Sequence, residues 1–296
     1  MMKEPSRAEG TLFVVATPIG NLKDITVRAL EVLKKVDIIA AEGVNRTRAL
    51  CQHYGIRSKI RSFNQHNQKK VSPEFISLLR SGRSIALVTN AGTPCISDPG
   101  TYFVSLALQA GITVTPIPGP SAVTAALSAS GIRADKFVFL GFLPAKQGQR
   151  SKELRRWKGE RLPLVIYEAP HRIKDTLRDM LDIMGDVYIT VLRELTKVHE
   201  EIRRERVSET LELLKDSEVK GEIVLVVEAA EKVNESINED IKTYIGRLVS
   251  GQELPIKQIA AKVSAERGIP YRKTYKACLE ILRRQEQDGD DAKDVH

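Results

Sequence analysis

The segment ATPIGNLKDIT at residues 16–26 decides the fold prediction. It follows TLFVV, a β-branched and aromatic run that predicts a buried first strand, and it leads into an amphipathic helical pattern that carries Val27 and Leu30. Open α/β sheets bind their ligands at the carboxyl ends of such strands. Pro18 restricts the backbone, and Gly20 permits the close approach of a ligand. Taken alone, the segment would indicate no more than a strand-to-helix turn.

Strand-like and helix-like segments alternate through the first two thirds of the chain. The strand-like segments are TLFVVAT, VDIIAAE, SIALVTN, ITVTPI, FVFLGF, LPLVIYE, VYITVLRE and GEIVLVVE. The helical patterns between them include residues 27–36, 75–79, 102–109 and 121–129. This alternation predicts parallel or mixed α/β sheets. A run of small residues at 122–131 precedes the second set of strands, so we predict two α/β domains, 11–122 and 123–231, with a cleft between them.

After Glu231 the pattern changes to that of a small helical module. Apolar residues repeat at helical spacing, and breaks fall at Gly251 and at 268–270. From Lys242 to Arg284 the chain has ten Lys or Arg residues and three Glu, against a net charge of +8 for the whole chain. Such a module is typical of a nucleic-acid partner, although a solvated helical surface has the same composition. We predict a basic, helix-turn-helix-like module at 236–285 and a disordered acidic tail at 286–296.

Composition and missing motifs exclude several classes of protein. The 296 residues are 42% hydrophobic, contain no apolar run that could span a bilayer, and begin without the apolar core of a signal peptide. Three scattered cysteines, Cys51, Cys95 and Cys278, fit neither a disulfide framework nor a zinc site. No GxGxxG with an acidic partner, GxxxxGK[ST], GxSxG or HExxH motif occurs. We expect a cytoplasmic protein whose reaction needs neither a metal nor a protein nucleophile.

Three further loops follow strands and carry polar or turn-forming residues. They are LVTNAGTPCISDPG at 87–100, PIPGPSA at 116–122 and YEAPHR at 167–172. Asp98 would suit the N-cap of the following helix, and Ser121 lies near a helix N-terminus, which is a natural seat for a carboxylate or phosphate. Glu168, His171 and Arg172 suit polar recognition or proton handling. Each loop alone is explained by structure, but four at strand carboxyl ends indicate a ligand site in the cleft.

With these motifs the chain resembles the tetrapyrrole-methylase-like (class III) S-adenosyl-L-methionine-dependent methyltransferases. Among them it is most similar to the ribosomal RNA small-subunit methyltransferase I family, which methylates a cytidine ribose 2′-oxygen in 16S rRNA. ATPIGNLKDIT, AGTPCISDPG, PGPSA with ALSASG, and YEAPHR carry the resemblance, which covers residues 11–228. It implies S-adenosyl-L-methionine in the cleft, 16S rRNA of the small ribosomal subunit as partner, and a homodimer.

The resemblance also implies roles for individual residues. Cofactor contacts are expected at Ile19, Gly20, Asn90, Gly92, Thr93, Pro94, Ile96, Ser121, Ala122 and Tyr167. The unranked candidates for accepting the proton of the substrate hydroxyl are Glu42, Asp98, Glu168 and His171. The expected contacts to RNA phosphates or bases are Arg46, Arg172 and, in the basic module, Arg272, Lys273 and Lys276.

Two positions depart from the family pattern. Gly43 stands where the family has an Asp in AEDTR, and Asn90 stands where it has the Asp of DAGTP. Glu42, Arg46 and Asp98 are retained, which favours an active enzyme. Two alternatives stay open on the sequence alone: a class III methyltransferase that acts on a tetrapyrrole-like small molecule, and a non-catalytic RNA-binding relative.

Overall fold

The structure, a computed structural model, describes residues 10–228, 239–250, 254–267 and 269–291. The chain divides into two compact units, with the boundary between residues 229 and 230. Among the described residues, the first unit contains two five-stranded sheets and the second contains three helices. The amino-terminal segment in which no signal peptide was predicted lies, for residues 1–9, outside the described residues.

The first sheet is entirely parallel, as the alternating pattern predicted. Its strands are β1 (Thr11–Val15), β2 (Ile38–Ala41), β3 (Lys59–Ser62), β4 (Ile85–Val88) and β5 (Thr113–Ile117), in the order β3-β2-β4-β1-β5. The connecting helices are α1 (Val27–Lys35), α2 (Val44–His53), α3 (Gln68–Arg80) and α4 (Thr101–Gln109). Every residue of β2 and β4 is buried, as expected for a parallel sheet covered on both faces.

The second sheet is mixed. Its strands are β6 (Val138–Phe142), β7 (Leu164–Glu168), β8 (Tyr188–Arg193), β9 (Glu201–Arg206) and β10 (Ile223–Val227), in the order β6-β7-β10-β8-β9. Only the β6–β7 pair is parallel. Its helices are α5 (Ala122–Ala129), α6 (Gln147–Arg156), α7 (Ile173–Met184) and α8 (Val207–Leu214). Val123 and Ala126 of α5 pack with Val165 and Val224 of this sheet, so α5 belongs to the second layer of the fold.

The sequence patterns missed two strands and misplaced one helix cap. Strands β3 (KIRS) and β9 (EIRRER) lie at the edges of their sheets, where charged residues are common because they discourage pairing with other chains. Helix α4 is capped by Gly100 and not, as predicted, by Asp98. Gly100 has a φ of 141°, which only glycine adopts readily, and this turn separates Asp98 from the helix.

The second unit is the small helical module predicted from the spacing of its apolar residues. Helices α9 (Glu239–Ser250), α10 (Ile256–Arg267) and α11 (Tyr271–Asp291) share a core formed by Ile245, Val249, Ile259, Ala260, Val263 and Cys278. Helix α11 extends into the segment predicted as a disordered tail from residue 286, and residues 292–296 lie outside the described residues. Among the helices that the structure describes, none is long and apolar enough to cross a membrane.

Candidate functional site

A cavity of about 390 Å³ lies between the two sheets of the first unit. The first sheet contributes the loops that follow β1, β2, β4 and β5, and the second contributes the ends of β6, β7 and β8 and the start of β10. Its volume lies within the range of roughly 300–1,000 Å³ that is usual for sites of small ligands. The predicted cleft therefore exists and is lined by residues of both sheets.

The loops on the first-sheet wall are hydrogen-bonded to one another. The main chains of Thr17 and Gly92 exchange two hydrogen bonds, each with an N···O distance of 2.9 Å. Thr93 Oγ1 donates to the carbonyl of Pro120 at 3.1 Å. Gly92 lines the cavity with a φ of 80°, which a side chain at this position would strain. The three loops therefore form one connected wall.

Two carboxyl groups of this wall share a single hydroxyl. Glu42 Oε2 accepts hydrogen bonds from Thr89 Oγ1 at 2.6 Å and from the main-chain N–H of Asn90 at 3.0 Å. Burial, followed by the charge of Glu42, raises the pKa of Asp98 from 3.8 to about 6, and a hydrogen bond with Thr89 offsets part of the rise. Because one hydroxyl has only one proton to donate, it serves one carboxylate at a time. Because burial and the charge of Glu42 outweigh this hydrogen bond, Asp98 holds a proton more readily than an ordinary aspartate.

Asp98 stands in a strained loop. Cys95 and Ser97 have φ values of 70° and 63°, which are uncommon for residues other than glycine. A Cβ built on Gly100 would lie 2.7 Å from Cys95 Sγ and 2.8 Å from Leu87 Cδ2, so the loop closes tightly on the sheet. Strain of this kind is concentrated at functional sites in proteins.

The two departures from the family pattern contact each other in space. A Cβ built on Gly43 would lie 2.0 Å from Asn90 Oδ1 and 3.1 Å from Asn90 Cγ. The side chain of Asn90 thus occupies the space that any side chain at position 43 would need. The missing side chain at Gly43 and the amide at Asn90 are one local arrangement, although 47 residues separate them along the chain.

The second-sheet wall is aromatic where it faces Asp98. Burial, followed by the charge of Asp98, raises the pKa of Tyr167 to about 12, although a hydrogen bond from the main chain of Val123 lowers it. The ring of Tyr167 packs edge-on against Phe139 and Phe142, with centroids 5.0 and 5.5 Å apart. A register shift in β6 precedes Phe142, whose side chain lines the cavity and is 56% exposed. The cavity thus has an exposed aromatic face.

The carboxylate of Glu168 is fully bonded within the second-sheet wall. It has no exposed side-chain area, and it accepts hydrogen bonds from the main chain of Ala169 at 2.7 Å and from Thr176 Oγ1 at 2.6 Å. Arg172 Nε lies 3.3 Å from Glu168 Oε1, and Arg172 Nη2 donates to the carbonyl of Leu143 at 2.5 Å. These contacts join β6 and β7 to the start of α7.

Most of the residues singled out from the sequence line the cavity. Those that do are Ile19, Asn90, Gly92, Thr93, Ile96, Ser121, Ala122, Tyr167, Glu42, Asp98, Glu168 and Arg46. Gly20 and Pro94 are not part of the lining, and neither are His171, which is exposed, and Arg172. Gly20 instead lies against the 195–197 loop, where a Cβ would approach Leu195 O to 2.7 Å. Arg272, Lys273 and Lys276 are exposed on α11 of the second unit.

Several lining residues carried no signal in the sequence. Leu192, Leu195 and residues 221–224 line the cavity because β10 runs antiparallel to β7 and β8, so its start lies beside their ends. Phe142 lines it at the end of β6, after the register shift. Strand pairing of this kind is not encoded in any local motif. Across the described ranges there is no group of three or more His, Cys, Asp or Glu residues that could hold a metal ion.

Comparison with known proteins assigns the family. The profile of the Tetrapyrrole (Corrin/Porphyrin) Methylases matches residues 11–211. The Ribosomal RNA small subunit methyltransferase I of Halalkalibacterium halodurans is 43% identical over 276 residues, which cover 90% of this chain and 94% of that protein. The chain belongs to the ribosomal RNA small subunit methyltransferase I family. A shorter member from Thermotoga maritima is 44% identical over 222 residues, which are 100% of that protein but 75% of this chain.

A solved structure of this fold is that of a diphthine synthase, with a TM-score of 0.58 and 16% identity over 74% of this chain and 90% of that one. The family and this likeness confirm the predicted fold class, two α/β layers of the tetrapyrrole methylase type with a C-terminal helical module. Membership in a methyltransferase family also confirms the predicted cofactor, S-adenosyl-L-methionine.

The cavity suits this cofactor chemically. Ile19, Ile96 and Leu192 give the lining apolar surface, and Glu42 and Asp98 give it carboxyl groups, which is the chemistry that a nucleoside with a sulfonium group requires. Ser121, at the N-cap of α5, makes no capping hydrogen bond with its side chain. The start of this helix therefore offers donors to a carboxylate group.

Proposed function

We propose that this methyltransferase methylates the ribose 2′-oxygen of a cytidine in 16S rRNA of the small ribosomal subunit. Relatives that align over nine tenths of the chain bear the name of ribosomal RNA small subunit methyltransferase I. The observation that carries the proposal is the position of Asp98, a half-buried carboxyl group with a raised pKa, between Glu42 and Tyr167 at the cavity. A hydroxyl substrate needs a proton acceptor of this kind.

The cofactor is held, in this proposal, by the linked loops of the first-sheet wall and by the start of α5. Ile19, Gly92, Thr93 and Ile96 form the apolar and main-chain surface, and Ser121 binds a carboxylate. S-adenosyl-L-methionine supplies an activated methyl group when bound. The residues of the chain therefore have to align the hydroxyl, exclude water and take one proton.

Asp98 is the best candidate for the proton acceptor, and Glu42 acts through it. Burial and, after it, the negative charge of Glu42 raise the pKa of Asp98, which brings its basicity closer to that needed near neutral pH. Glu168 is unsuitable because buried donors within its own wall already bond both of its oxygens. His171 is exposed and lies outside the cavity lining.

The target nucleotide is proposed to enter between Phe142 and Arg46. Phe142 offers an exposed ring at the cavity, and stacking of a base on an aromatic ring contributes roughly 1–3 kcal/mol. Arg46 is exposed and also lines the cavity, where it would contact a phosphate. Arg172 is better suited to supporting the wall, since Glu168 and Leu143 already engage it.

Mapping of the product tests the proposal. The purified protein is incubated with labelled S-adenosyl-L-methionine and either small ribosomal subunits, free 16S rRNA or a tetrapyrrole substrate, and the methylated ribose is located by its resistance to alkaline cleavage. We expect label in one cytidine of the rRNA. Label only in the tetrapyrrole would favour the small-molecule alternative, and cofactor binding without any methylation would favour a non-catalytic RNA-binding protein.

Two further predictions accompany this function. A ribosomal substrate supports the cytoplasmic location expected from the sequence, which localisation of a tagged chain would test. The homodimer implied by the family stays a prediction, and light scattering of the purified protein would measure it.

A further inference from the structure

The stretch between Arg46 and Arg83 has the most one-sided charge of the chain. It contains nine Lys or Arg residues and a single acidic residue, Glu74. Glu74 is paired with Arg61 at 2.7 Å. Within the part of the chain that the structure describes, no salt bridge involves any of the others, which are Arg46, Arg48, Arg57, Lys59, Lys69, Lys70, Arg80 and Arg83. These cations are available to an external anion.

Four of these cations lie at the edge of the first sheet that borders the cavity. The last residues of β3, β2 and β4 are in register, since Ala41 pairs with both Ser62 and Val88. Helices α2 and α3 begin beyond this edge. The four cations, named here the basic rim, lie in the first two turns of these helices and are all exposed: Arg46, Arg48, Lys69 and Lys70. Because Arg46 also lines the cavity, the basic rim continues from the candidate site.

Local stability does not explain the position of the basic rim. The N-terminus of a helix carries a partial positive charge, so cations in the first turn are unfavourable and acidic residues are preferred. Neither α2 nor α3 has an acidic residue in its first turn. The basic rim and the two helix ends therefore combine into a positive surface that attracts an extended anion.

The loop before α3 holds part of this surface rigidly. The main-chain N–H of Asn64 donates to Asn67 Oδ1 at 2.7 Å, and Asn64 Oδ1 accepts from the N–H groups of His66 and Asn67 at 3.0 and 3.1 Å. Asn67 Nδ2 also donates to Ser62 Oγ at 3.2 Å. These bonds fix the start of α3, and with it Lys69, relative to the end of β3.

We infer that the basic rim docks the sugar-phosphate backbone of the RNA next to the target nucleotide. The inference rests on the proposed function and assigns backbone binding to the catalytic unit. Charge complementarity and continuity with the cavity support it. The shorter relative from Thermotoga maritima bears the same name, although it aligns with only three quarters of this chain. A basic surface within the catalytic unit supplies the phosphate contacts that dominate RNA affinity.

A pair of matched triple variants tests the inference. The rim variant is Arg48→Ala/Lys69→Ala/Lys70→Ala. The control variant, Arg57→Ala/Arg80→Ala/Arg83→Ala, removes the same charge from exposed positions in the same stretch, but at the amino ends of β3 and β4 and the carboxyl end of α3. Affinity for 16S rRNA is measured by filter binding at several salt concentrations. Calorimetric titration with S-adenosyl-L-methionine shows that both variants are folded.

We expect the rim variant to bind RNA at least about tenfold more weakly, with a salt slope lower by about 0.7–0.9 for each lost phosphate contact. The control variant should stay within about twofold of the parent, and both should bind cofactor like the parent. Equal RNA affinity and salt slope in the two variants would overturn the inference. If the parent methylates no RNA, the proposed function fails, and the basic rim is still judged by the affinity difference between the variants.

Discussion

The two walls of the cavity both carry carboxylates, and the walls differ in how many donors they supply. On the second-sheet wall, Glu168 accepts hydrogen bonds from Ala169 and Thr176, forms an ion pair with Arg172 and has no exposed side-chain area. On the first-sheet wall, Glu42 and Asp98 compete for the hydroxyl of Thr89. The difference teaches that a buried acid bonded within its own wall supports structure, whereas one that is half-buried beside another carboxylate retains affinity for a proton.

Replacement of the two acids should separate these roles. We expect Asp98→Asn to lower single-turnover methyl transfer by about 10²- to 10⁴-fold, the usual contribution of a general base, because the amide cannot take the proton. Glu168→Gln should keep its rate per folded molecule near that of the parent. Both are compared by quenched assays with saturating RNA, and cofactor affinity is measured for each. A fully active Asp98→Asn enzyme would show that Asp98 does not take the proton of the substrate hydroxyl.

The loss of stability should be larger for Glu168→Gln than for Asp98→Asn, which is the opposite of the order expected for the loss of rate. Glu168→Gln leaves the Arg172 Nε, a buried donor without a hydrogen bond, beside a neutral amide instead of a carboxylate, and a buried polar group that is left unsatisfied costs roughly 1–3 kcal/mol. The free energy of unfolding, measured in urea, should fall by that amount. Asp98→Asn should not lower it at neutral pH, because this variant removes a carboxylate whose ionised form the fold disfavours. An equal loss in both variants would contradict the comparison.

A smaller loss is expected for substitution of Gly43, the position at which the first-sheet wall has no side chain. Gly43→Ala places a Cβ against the amide of Asn90, so it should lower the unfolding free energy by roughly 1–3 kcal/mol through overpacking. In an Asn90→Ala background the same change should cost less, with a coupling of about 0.5–3 kcal/mol. Gly43→Asp would meet the same amide, so it introduces a clash unless Asn90 is changed with it. Additive effects in urea titrations would show that the two positions are independent.

The smallest expected effect is on the pH dependence of stability and of methyl transfer, which tests the coupling between Asp98 and Glu42. The folded-state pKa of Asp98, about 6, exceeds its ordinary 3.8, so the native protein binds more protons in this window and its stability falls as pH rises from about 4 to about 6. Methyl transfer should instead rise with pH through about 6 as Asp98 ionises. Glu42→Gln removes a charge that raises this pKa, so it should move the midpoint of the rate profile to lower pH. An unchanged midpoint would exclude coupling between the two acids.

Local patterns predicted the fold and most of the cavity, and they failed where distant strands meet. The buried strands and their following loops are visible because apolar runs end in Gly, Pro and polar residues, as at Gly92 and Ser121. The position of Asp98 was predicted wrongly as a helix cap, because a positive φ at Gly100 is not visible in residue types. Phe142 was missed because the shifted register of β6 brings it into the cavity.

The bond pair between Thr17 and Gly92 consists of main-chain atoms only. Replacing a neighbouring side chain leaves these two bonds intact, so residues around the cavity can change during evolution without loosening the loops that frame it. For protein engineering, side chains that line this cavity can thus be exchanged while the main-chain bonds between its loops stay in place.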